Sequence, residues 1–370
     1  MSTNDGAGTE AAEAELEAAL AAHPAVSEAA VVARPQSQSP GGLALKAYVA
    51  AHWRTGAADL QAHVSAHIAA SPLRPGDITM LAALPRDERG AIRREALRRR
   101  STDPCVLITG GSSGLGRELA GALARRGTRV AITARNAERL EETARSLRAT
   151  GAEVFACPAD VSEPAAVERL VETVEAQFGE IGALVNNAGI QGPIGELWDV
   201  DADAWWRTFE TNLRGAALGC AQVLRVMAQR RSGKIINVAS HAGVHRWPHL
   251  SAYSASKAAL IKLTENIAVE ARGYGVAIVS FHPGILEIGL GQTQLAAAAP
   301  QGSWSQKVSE WILEVKAQGA YTPTESAVNA LIRLLDDDDL PANTGSYLTT
   351  ESVNAGLRRP GSASPLSGTL

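Results

Sequence analysis

Residues 104–136 read PCVLITGGSSGLGRELAGALARRGTRVAITARN, and the fold turns on this stretch. Cys105–Thr109 is a short apolar run of the kind buried on both faces of a sheet. Gly110, Gly111, Gly114 and Gly116 follow at once, residues 115–125 carry a helical pattern, and Val130–Thr133 is a second apolar run. Strand, glycine-rich turn, helix and strand within about thirty residues is the context that turns a glycine motif into a dinucleotide site. Glycines let the backbone approach a pyrophosphate, and a helix N-terminus offers free N–H groups and a favourable dipole.

The alternation continues through apolar runs at 153–157, 183–186, 234–238 and 276–281, with helical patterns between them. The right-handed crossover rule makes this an α/β fold, a Rossmann-type doubly wound parallel sheet. Cofactor choice falls at the end of the second strand, where an acidic residue holds a ribose 2′-OH and a basic one a 2′-phosphate. Thr133, Ala134 and Arg135 stand there, with no carboxylate. Arg135 suits a phosphate as a permanently charged, bidentate donor; the alternatives are a solvated guanidinium or one stacked on adenine. Ser112 and Ser113 add no second basic group, so NADP is favoured and NAD stays open.

After the 234–238 run comes ASHAGVHRWPHLSAYSASKAAL, residues 239–260. Tyr253 and Lys257 are four apart on a helical pattern and share one face. A phenol is a poor base at neutral pH, and a nearby ammonium is expected to lower its pKa into useful acid/base range. Ser240 can donate a hydrogen bond to a carbonyl oxygen.

With these residues the segment 103–352 resembles a short-chain dehydrogenase/reductase. TGGSSGLG (109–116), ADV (159–161), NNAG (186–189), TNLRG (211–215) and HPG (282–284) are similar to the family's motifs and occur in its order. The resemblance implies an oxidoreductase interconverting a carbonyl and an alcohol by hydride transfer, with Asn212, Ser240, Tyr253 and Lys257 as the catalytic set. Tyr253 would pass the proton, Lys257 lower its pKa and hold the nicotinamide ribose, Ser240 polarise the carbonyl and Asn212 position a water. It places the cofactor against Gly110, Ser112, Ser113, Gly114, Leu115 and Gly116, with Asp160 and Val161 at the adenine. Asn187, Ala188, Gly189, Pro283 and Gly284 would stand near the nicotinamide, and the assembly implied is a homodimer or homotetramer. One departure concerns the family's Thr four residues after the turn glycine: Ile288 stands there, with Thr293 nearby as a substitute hydroxyl.

His241, His245 and His249 are spaced by four, but Gly243 and Pro248 interrupt any helix, so a loop is expected rather than a metal site. Six of the seven Trp lie between Trp198 and Trp311. Residues 192–206 and 285–321 are expected to wall the nicotinamide site, with Trp205 and Trp206 alternatively in the core of the following helix. A Trp-rich lid would suit a bulky or aromatic carbonyl.

The preceding residues, 9–100, form a small α+β domain by pattern. They resemble the C-terminal subdomain of acyl-adenylate-forming enzymes: helix, strand, strand, helix, strand, then a Pro-Arg turn leading to a last helix. The adenylation Lys of that family is replaced by Ala91 after Gly90, so adenylation is not expected. The module would dock a carrier protein or a synthetase, or serve as a packing or oligomerisation element. Arg93, Arg94, Arg98, Arg99 and Arg100 read as a solvated helix end and linker.

The chain has 370 residues, 45% hydrophobic and 20% charged, with net charge -4, so no basic field points to nucleic acid or an acidic membrane. No run approaches ~18 apolar residues, and the N-terminus lacks a signal-peptide pattern. Dispersed Cys105, Cys157 and Cys220 suit a reducing compartment, making a cytoplasmic location the default. Residues 353–370 read as a disordered tail. The competing readings are a nucleotide-binding scaffold or sensor without turnover, and non-redox chemistry on the same fold.

Overall fold

The computed structural model describes residues 5–35, 43–51, 55–68, 71–74, 77–81, 84, 86, 87, 89–99, 104–290, 292, 295 and 300–356. The first hundred residues give α1 (Asp5–Ala21), β1 (Val26–Pro35), β2 (Leu43–Ala51), α2 (Ala57–His67), β3 (Ile78–Met80) and α3 (Arg94–Arg99). β1 and β2 pair antiparallel, and β3 adds parallel to β2. α1 and α2 cover one face of this sheet, where Leu20, Val31, Leu60 and Val64 are fully buried together. Leu97 of α3 packs with Ala30 and Tyr48 on the other. Arg94 is partly exposed but not free in solvent: it pairs with the half-buried Glu17 and donates to the Val31 carbonyl at 3.0 Å. The side chains of Arg98, Arg99 and Arg100 lie outside the described residues, as does Thr293.

The second sheet runs through β4 (Cys105–Thr109), β5 (Val130–Thr133), β6 (Val154–Ala156), β7 (Ile181–Asn186), β8 (Gly233–Val238), β9 (Val276–His282) and β10 (Tyr347–Thr349). Their order is β10-β9-β8-β7-β4-β5-β6, all parallel. Helices α4 (Gly114–Arg125) and α5 (Ala137–Arg148) follow β4 and β5. α6 (Pro164–Thr173) precedes β7, and α7 (Ala202–Phe209) continues through a π turn at Glu210–Arg214 into α8 (Gly215–Arg230). α9 (Ser251–Ala271) precedes β9, and α10 (Trp304–Ala317), α11 (Thr324–Asp336) and α12 (Thr350–Asn354) complete the chain described. The all-buried strands β4, β5 and β9 are what a sheet covered on both faces requires.

α12 buries Val353, and Thr349 caps it together with Ser352. Residues 353 and 354, expected to open a disordered tail, thus belong to a helix; residues 357–370 lie outside the described set. A buried joint connects the two sheets' units. Arg230, at the carboxyl end of α8, donates through Nε to the Met80 carbonyl at 3.1 Å and pairs with Glu175, whose side chain is fully buried. Gln229 donates to the Ala51 carbonyl at 2.7 Å.

Candidate active site

The strand order reverses between β4 and β7, the place where open α/β sheets leave a crevice beyond the strands' carboxyl ends. The two ends are locked together there. The Thr109 hydroxyl accepts from the amides of Asn187 and Ala188, both at 3.0 Å, and the Asn187 side chain donates back to the Thr109 carbonyl at 2.9 Å. Gly116 makes this closure fit: a Cβ there would stand 2.5 Å from both the Gly110 oxygen and Asn187 Nδ2.

A cavity of about 500 Å³ opens at this crevice. Gly110, Ser113, Gly114 and Leu115 line one end, and Asn187, Ala188 and Gly189 the middle. Ser240, Tyr253, Lys257, Pro283 and Gly284 line the other end. Ser112 and Gly116 sit behind the turn and do not line it. Arg135, Asp160 and Val161 are also outside the lining. The Asp160 carboxyl is pushed up by burial, but hydrogen bonds from Ser162 and the charge of Arg135 outweigh this and hold it below its usual range. Arg117 and Arg139, neither singled out from the sequence, do line the cavity. Arg139 lies in the first turn of α5, its amide donating to the cap Asn136 at 2.8 Å. A basic residue in the first turn after the second strand was the available signal.

Tyr253 and Lys257 share one face of α9, and Lys257 is buried. Its ammonium donates to the Val238 carbonyl at 2.7 Å and lies 5.8 Å from the Tyr253 ring centre. The expected lowering of the Tyr253 pKa is not what this arrangement produces. Burial pushes the phenol above its usual range, and only its hydrogen bond to Ser240 works the other way. Burial also pulls Lys257 down to about 8, so its charge is itself weakened. The Ser240 hydroxyl also accepts from the Ala242 amide at 3.2 Å, at the start of a short 3-10 turn.

Asn212 lies in the π turn, an insertion that often marks functional sites. It does not line the cavity. It accepts from the Ile190 amide at 2.8 Å and donates to the Ile190 carbonyl at 2.9 Å and to Ser256 at 3.1 Å. Asn212 thus ties the loop after β7 to the helix carrying Tyr253 and Lys257. Asn186, Asn237 and Thr264 form a parallel buried chain across β7, β8 and α9, with both links at 2.9 Å.

Gly284 has φ +94, and a Cβ there would fall 1.8 Å from Thr322 Oγ1; only glycine fits this turn. Ile288 lines the cavity in the place of the expected Thr. Among the expected walls, 285–321 contributes through Leu286, Val308, Trp311 and Ile312, but no residue of 192–206 lines the cavity. Trp205 instead stacks on Phe209 and donates to Ser251 at 3.0 Å, and Trp206 is largely exposed. The amphipathic pattern of α7 carries them away from the crevice. Trp247, not singled out as a wall, takes part in their stead.

Of the loop histidines, His241 and His245 stay together with ring centres 5.3 Å apart, and His249 turns away. His241 stacks on His282, with ring centres 3.9 Å apart, whereas His249 stacks on Trp304. His282 is buried, which pulls it down to about 3, and His241 and His245 add to this.

The short chain dehydrogenase family model matches residues 104–298, and the AMP-binding enzyme C-terminal domain model matches residues 15–91. The chain is 34% identical over 241 residues to a levodione reductase of Leifsonia aquatica, covering 65% of this chain and 90% of the relative. It is similar to a solved actinorhodin polyketide ketoreductase with NADPH, with TM-score 0.60 and 28% identity, covering 68% of this chain and 97% of that one. It is also similar to a solved NAD+-bound xylitol dehydrogenase, with TM-score 0.60 and 30% identity, covering 67% and 97% of the two chains. Ser240, Tyr253 and Lys257 at one end of a crevice and a glycine turn at the other, on a seven-stranded parallel sheet, agree with the family match: the chain belongs to the short-chain dehydrogenases, with an AMP-binding enzyme C-terminal-like segment in front.

Proposed function

We propose that the chain is an NADP-preferring carbonyl–alcohol oxidoreductase in which Tyr253 is the general acid/base. The observation that carries this is the convergence of Ser240, Tyr253 and Lys257 on one end of a cavity whose other end is the glycine turn. The crevice residues fit a dinucleotide. The α4 N-terminus faces the cavity and can hold a pyrophosphate, while Arg117 and Arg139 supply cations at that end. Arg135 beside Asp160 is the further candidate for a 2′-phosphate. Lys257 and the Pro283–Gly284 turn would hold the nicotinamide half.

When bound, the nicotinamide supplies or accepts the hydride. The chain's own work is the proton. With its pKa raised, Tyr253 is protonated at neutral pH and donates through Oη to a carbonyl oxygen as that oxygen gains charge. Ser240 donates a hydrogen bond to the same oxygen. Asn212 acts as a positioning residue by fixing the β7 loop against α9. The proposed organisation is a small module at 9–100 and the reductase at 103–352, in a cytoplasmic homo-oligomer. Of the roles open to the module, the buried Arg230–Glu175–Met80 joint favours packing over docking of a carrier protein.

The test is Tyr253→Phe with a panel of carbonyl substrates. Turnover should fall by about 10²–10⁴, while NADPH binding, followed by fluorescence, persists. A Phe variant that turns over at the wild-type rate would sink the assignment.

A further inference from the structure

The substrate end of the cavity has a distinct chemical character. Of the charged side chains lining the cavity, Arg117, Glu118 and Arg139 all stand on α4 or α5, at the glycine-turn end. At the opposite end the basic side chains in the lining are Lys257 and the buried His282, beside the phenol of Tyr253. After the Pro283–Gly284 turn the chain runs Ile285, Leu286, Glu287, Ile288, Gly289, Leu290, with Glu287 its single charged residue. Glu287 is exposed and pairs with Lys316 at 2.9 Å.

In place of charge there are indoles. Trp247 and Trp311 both line the cavity, and their rings meet edge to face with centres 5.0 Å apart. Leu250 and Ile312 are buried beside them. α10 is held over the site at its first residue: Trp304 stacks on His249, hydrogen-bonds to Glu196, and carries the Lys307 ammonium 3.9 Å above its ring. That anchorage sets the position of Trp311 two turns further on.

We propose that this end takes an uncharged carbonyl compound built on a flat apolar ring, the ring lying against Trp247 and Trp311 and the carbonyl at Ser240 and Tyr253. Aromatic walls reward a flat ring through edge and stacking contacts. A carboxylate or phosphate on the substrate would be desolvated there without a partner, which is costly. The inference rests on the carbonyl–alcohol reading above.

The test uses the full chain with NADPH or NADH and three ketones: tetralone, butanone, and a tetralone bearing a carboxylate. Tetralone should exceed each of the others in kcat/KM by about tenfold or more. Trp311→Ala should lower the tetralone-to-butanone ratio by about tenfold, and Trp311→Phe should restore most of it. The proposal is overturned if the carboxylated ketone matches its parent with the native chain, or if Trp311→Ala leaves the ratio unchanged; in either case carbonyl reduction itself stands. Reduction of none of the three, with nucleotide bound, would overturn the oxidoreductase reading and this inference with it.

Discussion

Replacing Arg230 by Met measures what holds the small module to the reductase. Arg230 is 7% exposed and Glu175 not at all. The Glu175 carboxylate also accepts from the Ile181 amide at 2.8 Å. Arg230→Met removes the Arg230 charge from a buried carboxylate and this donor from the Met80 carbonyl. Breaking a buried pair from one side costs about 3–5 kcal/mol. With an unfolding entropy of about 2.1 cal/mol/K per residue, that is a fall in Tm of roughly 4–6 °C for a chain of this length. Calorimetry on the native chain and the variant reads the shift. The double variant Arg230→Met, Glu175→Gln removes the stranded charge and should recover most of the loss. A single variant costing under about 1 kcal/mol, or a double variant no better than the single, would refute the view that the joint is electrostatically closed.

Two further outcomes concern the reaction. Below about pH 8 Lys257 keeps its charge and Tyr253, with its raised pKa, keeps its proton; this is the state that carbonyl reduction uses. Reduction kcat/KM should be flat on the acid side and fall as pH rises through about 8, while alcohol oxidation, which needs the phenolate, should rise; a reduction rate that climbs with pH would contradict the assignment. For the cofactor, Arg139→Ala and Arg135→Ala separate the two candidate phosphate partners. The one that contacts the 2′-phosphate should lose about tenfold or more in NADPH affinity with NADH affinity little changed, read by titration. Equal losses for both nucleotides would assign that arginine to the shared phosphates.

The parallel sheet was legible because its signals are local. The 105–109 run, the glycine turn and the 115–125 pattern need only their neighbours to be read, and β4 and α4 fall there. β10 was not singled out: three residues, Tyr347–Thr349, carry no periodicity, and their pairing with β9 arises from tertiary docking. The crevice walls were half legible. The 285–321 segment was expected, but Trp247 lies in a loop punctuated by Gly243 and Pro248, whose path no local pattern predicts. Trp205 lies half-buried against Phe209 and Trp206 on the exposed face of α7 instead. The Tyr253 pKa was misjudged for a physical reason. Spacing of four puts Lys257 on the same face, but it cannot reveal that the ammonium is committed to the Val238 carbonyl, nor that both groups lose solvent.

The joint at Gln229 and Arg230 lies at the last residues of α8, whereas the cavity opens beyond the carboxyl ends of β4, β7 and β8. Helices that cross between parallel strands run against them, so the end of α8 marks the sheet's amino edge. The small module is thus a base rather than a cover. Among the described residues, none of the module lines the crevice. Lengthening or exchanging the module would alter the amino edge of the sheet without redrawing the chamber at its carboxyl edge.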